Sequence, residues 1–217
     1  MTSDSHARLL DAAVGALRSG KPCADLVGEV VGLAAAEAPS PVWDAIAATD
    51  IAADVARTRP WFLRQFEERP PPADLTGLWF GLYVVRGAGP GRTEATVALS
   101  GGPGFPDPAW LTNQTWEVAG YLPTAGLRGL LPLAAAEEPE VRALVAGPVV
   151  FAYSMALAAA VVDDPGASVI LGDRPQLGVV VGLPGGDTVV AGVLTAGGFD
   201  RSGAHRVETP PAEEAEA

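Results

Sequence analysis

The chain has 217 residues, with 14 Lys and Arg against 26 Asp and Glu, a formal net charge of −12, and 48% hydrophobic residues. A chain of this length can bury roughly 70% of the surface that its unfolded state exposes, so one large domain can fold without disulfides or structural metals. The acidic balance disfavours nucleic acids and anionic membranes as partners, because both carry negative charge. With a single cysteine, Cys23, and two histidines, the composition predicts no metal site, and we expect no cofactor.

The N-terminus and one apolar stretch bear on localisation. Asp4, His6 and Arg8 lie where a signal peptide would need an apolar run, so we expect a cytoplasmic protein. The 20 residues 143–162 contain no charge and are long enough to span a bilayer. Many of them are alanine, and Pro148 interrupts them, which favours a buried core helix and no membrane contact.

Residues 1–69 predict a helical N-terminal region. Apolar residues recur at helical spacing in two segments that precede Pro39. Ser40-Pro41 is typical of a helix start, and the pattern predicts a third helix that continues toward Val55. A short fourth helix is expected to begin at Pro60.

Three prolines, Pro70-Pro71-Pro72, end the helical region, and the hydrophobic period changes directly after them. Residues 78–85 predict a strand that is apolar on both faces and therefore central in its sheet. Residues 93–99 predict its hairpin partner, and Pro184-Gly185-Gly186-Asp187 predicts the turn of a second hairpin.

The second half of the chain predicts one long helix. This helix covers residues 137–164, either continuous or divided at Pro148. We therefore expect an α+β fold, in which the N-terminal helices pack as one unit with a mainly antiparallel sheet formed within residues 76–202. Residues 203–217 are polar, acidic and proline-bearing, and predict a disordered tail.

The strand Leu78-Trp79-Phe80-Gly81-Leu82-Tyr83 follows the helical region and precedes a hairpin, a tryptophan-bearing loop and Tyr121-Leu122-Pro123. This succession, within residues 40–200, resembles a group of uncharacterised bacterial proteins that pair an L-W-F-G-L-F/Y strand with a preceding helical region. The resemblance implies an immunity-like or partner-binding role and assigns no catalytic residue.

The loop between the two hairpins carries the candidate binding residues. Trp110 and Trp116 bracket a polar stretch after several prolines, and Trp and Tyr beside adaptable polar groups are typical of recognition surfaces. The pattern predicts a binding site made of Trp110, Asn113, Gln114, Trp116 and Tyr121. The alternative is that both tryptophans pack in the core. We expect Trp116 to be mostly buried and Trp110 to be at least partly exposed.

Ser154 is the candidate nucleophile. It has alanine two positions away on either side, and its surroundings resemble the strand, nucleophile turn and helix of an α/β-hydrolase. In that family's order, Asp173 or Asp187 and then His205 would complete a triad. The alternative is that Ser154 is a small residue inside a core helix. Because no other set of nucleophile, base and metal ligands is visible, we favour a non-enzymatic binding protein for an unknown protein or small ligand, with a serine hydrolase as the second hypothesis.

Overall fold

The computed structural model of the chain describes residues 3–89, 91–163 and 168–207. The helices are α1 (Ser3–Arg18), α2 (Cys23–Glu37), α3 (Val42–Ala47), α4 (Ile51–Glu68), a 3-10 helix (Pro108–Thr112), α5 (Ala125–Leu133), α6 (Pro139–Leu144), a π-helical turn (Val145–Val149), α7 (Val150–Val162) and α8 (Ser168–Leu171). The strands are β1 (Gly77–Arg86), β2 (Thr93–Gly102), β3 (Trp116–Glu117), β4 (Gln176–Gly182), β5 (Thr188–Thr195), β6 (Gly198–Asp200) and β7 (His205–Val207). The predicted α+β fold is confirmed.

Within the described residues the strands form one sheet in the order β3-β2-β1-β4-β5-β6, and β7 also pairs with β5. β1 and β4 run parallel, whereas the other pairs are antiparallel. β1 lies between β2 and β4, and its first six residues are buried. The prediction of a central strand is therefore confirmed, and its first six residues are covered.

The predicted long helix runs from Pro139 to Val162 without a break. Pro148 has no N–H to donate, and the chain accommodates it in the π-helical turn between α6 and α7. By length and composition this helix is apolar enough to cross a membrane, but 83% of its most apolar window is buried inside the fold. It packs against α1, α2, α4 and the sheet, so it forms the centre of the core.

The boundary between the third and fourth helices differs from the prediction. α3 ends at Ala47, and α4 begins at Ile51 and continues through Pro60 to Glu68. The side chain of Asp50 accepts a hydrogen bond from the Ala53 backbone N–H at 2.9 Å and so caps α4 at its N-terminus. The expectation of one helix continuing toward Val55 is wrong, because this cap starts a new helix there.

One buried carboxylate joins three helices. Asp54 of α4 is fully buried, and its oxygens accept hydrogen bonds from the backbone N–H groups of Ala125 and Leu127 at 2.9 and 3.1 Å. These groups lie at the start of α5, where helical N–H groups need acceptors. The hydroxyl of Tyr153 on α7 donates to the same carboxylate at 2.9 Å. Burial, followed by the charge of Asp54, raises the pKa of Tyr153 well above its usual range.

The predicted disordered tail is wrong for its first residues. His205–Val207 forms β7, which pairs with residues 188–190 of β5. Ala204 is fully buried, and its carbonyl accepts a hydrogen bond from Arg18 of α1. These residues are ordered by pairing with β5 and by the burial of Ala204. Amino-acid composition alone indicates neither contact. The prediction for residues 208–217 lies outside the described residues.

Candidate functional site

The sheet has a second face, opposite the helices, that is built around two pairs of glycines. In the parallel pairing of β1 with β4, Gly77 lies opposite Gly178 and Gly81 opposite Gly182. Side chains alternate along a strand, so Trp79 of β1 shares this face with the glycines. The absence of side chains at the glycines leaves space on this face between the larger residues.

The loop after β2 covers part of this face with two aromatic rings. Trp110, on the 3-10 helix, packs over Gly77, where an added methyl group would lie 2.7 Å from Trp110 Cζ2. Phe105 packs over Gly178 in the same way. Together with Trp79 and Val180, these rings form a small hydrophobic cluster separate from the main core. Gly77 and Gly178 therefore leave the space that the two rings of the loop need in order to dock.

Beyond the docked loop the second face is open, and a cavity of about 770 Å³ lies there. Aromatic side chains of the sheet form one side of the cavity. The loop after β2 forms a second side, and the β4–β5 turn forms a third. The lining residues are Trp79, Tyr83, Asp107, Ala109, Leu111, Thr112, Gln114, Leu183, Pro184, Gly185, Gly186, Thr188 and Val207. This size and the mostly apolar lining with a few polar groups are typical of small-molecule sites.

Several residues of the cavity lining carry polar groups. The indole N–H of Trp79 is buried and has no hydrogen-bond partner among the described residues. The Trp79 N–H and the Thr188 hydroxyl both lie beside Gly182. A methyl group on Gly182 would be 3.1 Å from Trp79 Nε1 and 2.8 Å from Thr188 Oγ1. The Gln114 side-chain amide instead donates to the Leu111 carbonyl at 3.1 Å, within its own loop. Burial raises the pKa of the Tyr83 hydroxyl above its usual value.

A hydrogen bond from α1 and an ion pair from β7 hold the β4–β5 turn in place beside the cavity. His6 Nε2 of α1 lies 2.6 Å from Asp187 Oδ2, and Arg206 of β7 lies 3.4 Å from Asp187 Oδ1. Asp187 is the residue immediately before Thr188, which lines the cavity. The N-terminal helix and the last described strand thus fix one side of the cavity.

The two tryptophans of the predicted binding site are both buried. Trp110 is 3% exposed and Trp116 is 5% exposed. Trp116 donates its indole N–H to the Arg69 carbonyl at 2.9 Å and packs against Phe66, so the expectation of a core position is confirmed. The expectation that Trp110 is partly exposed is wrong, because Gly77 provides a place for the ring on the sheet.

The other three predicted binding residues occupy different surroundings. Gln114 lines the cavity, and Asn113 is exposed beside it on the loop. Tyr121 is 42% exposed and lies outside the lining, with its ring centroid 6.4 Å from that of Tyr83. The loop that the sequence predicts as a binding site borders the cavity. Of its five predicted binding residues, only Gln114 lines the cavity.

The three residues of the hydrolase hypothesis are not hydrogen-bonded to one another. Ser154 is 1% exposed in the interior of α7, and its hydroxyl donates to the Val150 carbonyl at 2.9 Å. Ser154 therefore lies in a helix, not at a strand-to-helix turn. Asp187 is paired with His6, and His205 is exposed with its Nδ1 2.7 Å from the Gly203 carbonyl oxygen.

We expect no reaction of Ser154 with a fluorophosphonate probe. Its hydroxyl is buried and hydrogen-bonded within its helix, so neither a base nor the probe can reach it. The measurement is mass spectrometry of the intact, folded protein after incubation with the probe. The Ser154→Ala variant serves as the control. A stoichiometric adduct in the wild type that this variant lacks would contradict the structure.

Trp79 and Tyr83 form the aromatic side of the cavity. The sequence pattern places both in a strand and marks neither as a binding residue. Trp79 and Tyr83 lie two strand positions on either side of Gly81, so period-two alternation places the three residues on one face. The spacing of four between Gly77 and Gly81 recurs between Gly178 and Gly182. This repeated spacing is the signal in the sequence that marks the open face of the sheet.

Within the described residues, no group of three or more His, Cys, Asp and Glu side chains is arranged to hold a metal ion. Comparison with known proteins adds no assignment, since no protein-family model, curated protein or solved structure matches the chain.

Proposed function

We propose that this chain is a non-enzymatic cytoplasmic binding protein that holds a small molecule in the cavity on the second face of its sheet. The observation that carries the proposal is the cavity of about 770 Å³ with an aromatic side formed by Trp79 and Tyr83. A concave site of this size encloses most of the surface of a small ligand, and such enclosure is what small-molecule binding requires.

The chemistry of the lining supports binding rather than catalysis. Among the described lining residues, the titratable ones are Asp107 and Tyr83. The Thr112 hydroxyl donates to the Ala109 carbonyl at 2.9 Å, and Thr188 has no neighbouring histidine or lysine in the lining. A hydroxyl nucleophile needs an adjacent base, so the lining provides no activated nucleophile. An immunity-like role rests on the resemblance described above and has no separate support in the cavity.

The test uses Nile red, an uncharged aromatic dye whose emission strengthens and shifts to the blue in apolar surroundings. We expect the wild-type chain to bind the dye saturably. We expect the affinity of Ala109→Trp for the dye to be lower by a factor of about ten or more. Ala109 is exposed and lines the cavity, so the new indole fills the space that the dye would occupy. Fluorescence titration measures both affinities.

Ala45→Trp is the matched control, because Ala45 is an exposed alanine of α3 outside the cavity lining. Both variants should melt near the wild-type temperature, because substitutions at exposed positions usually change stability by no more than about 0.5 kcal/mol. The proposal is rejected if the wild type gives no blue-shifted emission, or if Ala109→Trp and Ala45→Trp bind the dye equally.

A further inference from the structure

The lining of the cavity carries charge of one sign. Asp107 is the single charged side chain among the described lining residues. Arg206, next to Val207 of the lining, is occupied by Asp187 and Asp11 at 3.4 and 3.5 Å. An anionic ligand would therefore meet a carboxylate and find no lysine, arginine or histidine in the lining to compensate its charge.

The aromatic side of the cavity suits a cation. The ring centroids of Trp79 and Tyr83 are 6.5 Å apart and the ring planes are inclined at 55° to each other. Gly81 lies between them, where a methyl group would be 3.0 Å from Tyr83 Cε2 and 3.5 Å from Trp79. Aromatic faces attract cations within about 6 Å of the ring centroid, and the attraction grows when the cation is desolvated.

Asp107, on the loop, supplies the carboxylate of the cavity lining. Asp107 Oδ1 accepts a hydrogen bond from the Ala109 backbone N–H at 2.9 Å, while no described residue hydrogen-bonds Oδ2. The side chain lines the cavity from the loop, on the side that covers the sheet. Glu117 adds negative charge near Tyr83, and it contributes to the raised pKa of that residue.

We infer that the ligand is a small amine whose buried end is an alkylammonium cation, held against Trp79 and Tyr83 and paired with Asp107. This inference rests on the proposed function of the cavity as a small-molecule site. Quaternary ammonium groups fit such a site well, because they keep a positive charge while presenting methyl groups to the apolar lining.

The test compares choline with 3,3-dimethylbutan-1-ol, which has the same shape but a carbon in place of the charged nitrogen. Displacement of Nile red from the full chain measures both affinities. We expect choline to bind about 3- to 20-fold more tightly than the alcohol. Equal binding of the two compounds, or tighter binding of the alcohol, would overturn the inference.

Asp107→Asn tests the carboxylate separately. An asparagine oxygen still accepts the hydrogen bond from Ala109, so the 3-10 helix keeps its cap while the charge is lost. We expect the variant's preference for choline over the alcohol to fall about 3- to 10-fold. Asp74→Asn, at an exposed acid outside the lining, should match the wild type.

The outcomes separate this inference from the proposed function. If Nile red binds but choline has no advantage, or if Asp107→Asn behaves like Asp74→Asn, the cation inference is wrong and the small-molecule site stands. If Nile red does not bind, the proposed function fails and the inference fails with it.

Discussion

Replacement of Asp54 by alanine is expected to lower the free energy of unfolding by about 3–5 kcal/mol, a large share of the stability of an ordinary domain. The carboxylate is fully buried and accepts hydrogen bonds from two N–H groups of α5 and from Tyr153. Alanine would leave these donors without acceptors in the core, and each buried donor that loses its partner costs about 1–3 kcal/mol. Urea denaturation of the wild type and the variant measures the difference.

Asp50→Ala is the matched control for this experiment. Asp50 caps α4 through one hydrogen bond at an exposed site, so its loss should cost only about 1 kcal/mol. Equal destabilisation by Asp54→Ala and Asp50→Ala would contradict a central role for Asp54.

The Tyr153 hydroxyl gives a pH-dependent measure of the same network. Its pKa in the folded protein is raised above the ordinary value of about 10, so the folded state holds this proton more tightly than the unfolded state. The resulting stability is fully present below about pH 10 and is lost as the pH rises toward the folded pKa. The wild type should therefore lose stability above pH 10 faster than Tyr153→Phe.

Replacement of Trp110 by alanine is the second change with a large expected effect. The ring is 3% exposed and packs on Gly77, and loss of a buried tryptophan costs about 3–5 kcal/mol. Because the loop that carries Trp110 also forms one side of the cavity, dye binding should weaken together with stability. Thermal unfolding and Nile red titration measure the two effects.

Tyr121→Ala is the control for the aromatic loop. Tyr121 is 42% exposed and lies outside the cavity lining, so its removal should change stability by no more than about 0.5 kcal/mol. A loss of less than about 1 kcal/mol in Trp110→Ala would show that the indole is not packed on the sheet and would restore the original prediction of exposure.

The predictable parts of the fold follow from local patterns. The central position of β1 follows from apolar residues on both of its faces, and the long helix follows from a run of 20 residues without charge. The fate of Pro148 does not follow from such patterns, because a proline in a helix can end it, bend it or be taken up in a π-helical turn. The surrounding core, which is remote in sequence, selects the last of these here.

The site depends on contacts between residues that are distant in sequence. Composition identified the loop that borders the cavity, but the side of the loop that meets the sheet depends on Gly77 and Gly178, which accept Trp110 and Phe105. His6 and Asp187 are 181 positions apart, and neither belongs to a local motif. The sequence patterns therefore indicate the loop that borders the cavity, but of the predicted binding residues only Gln114 lines it.

Whether the second face of the sheet binds a small molecule can be read from the indole N–H resonances of the five tryptophans. Nile red at stoichiometric concentration should shift the Trp79 resonance, because Trp79 lines the cavity and its buried N–H has no hydrogen-bond partner among the described residues. The Trp43 resonance should not move, because its N–H donates to the Ala38 carbonyl within the helical layer. An unchanged Trp79 resonance, or a shift of the Trp43 resonance instead, would show that the dye does not bind at this face.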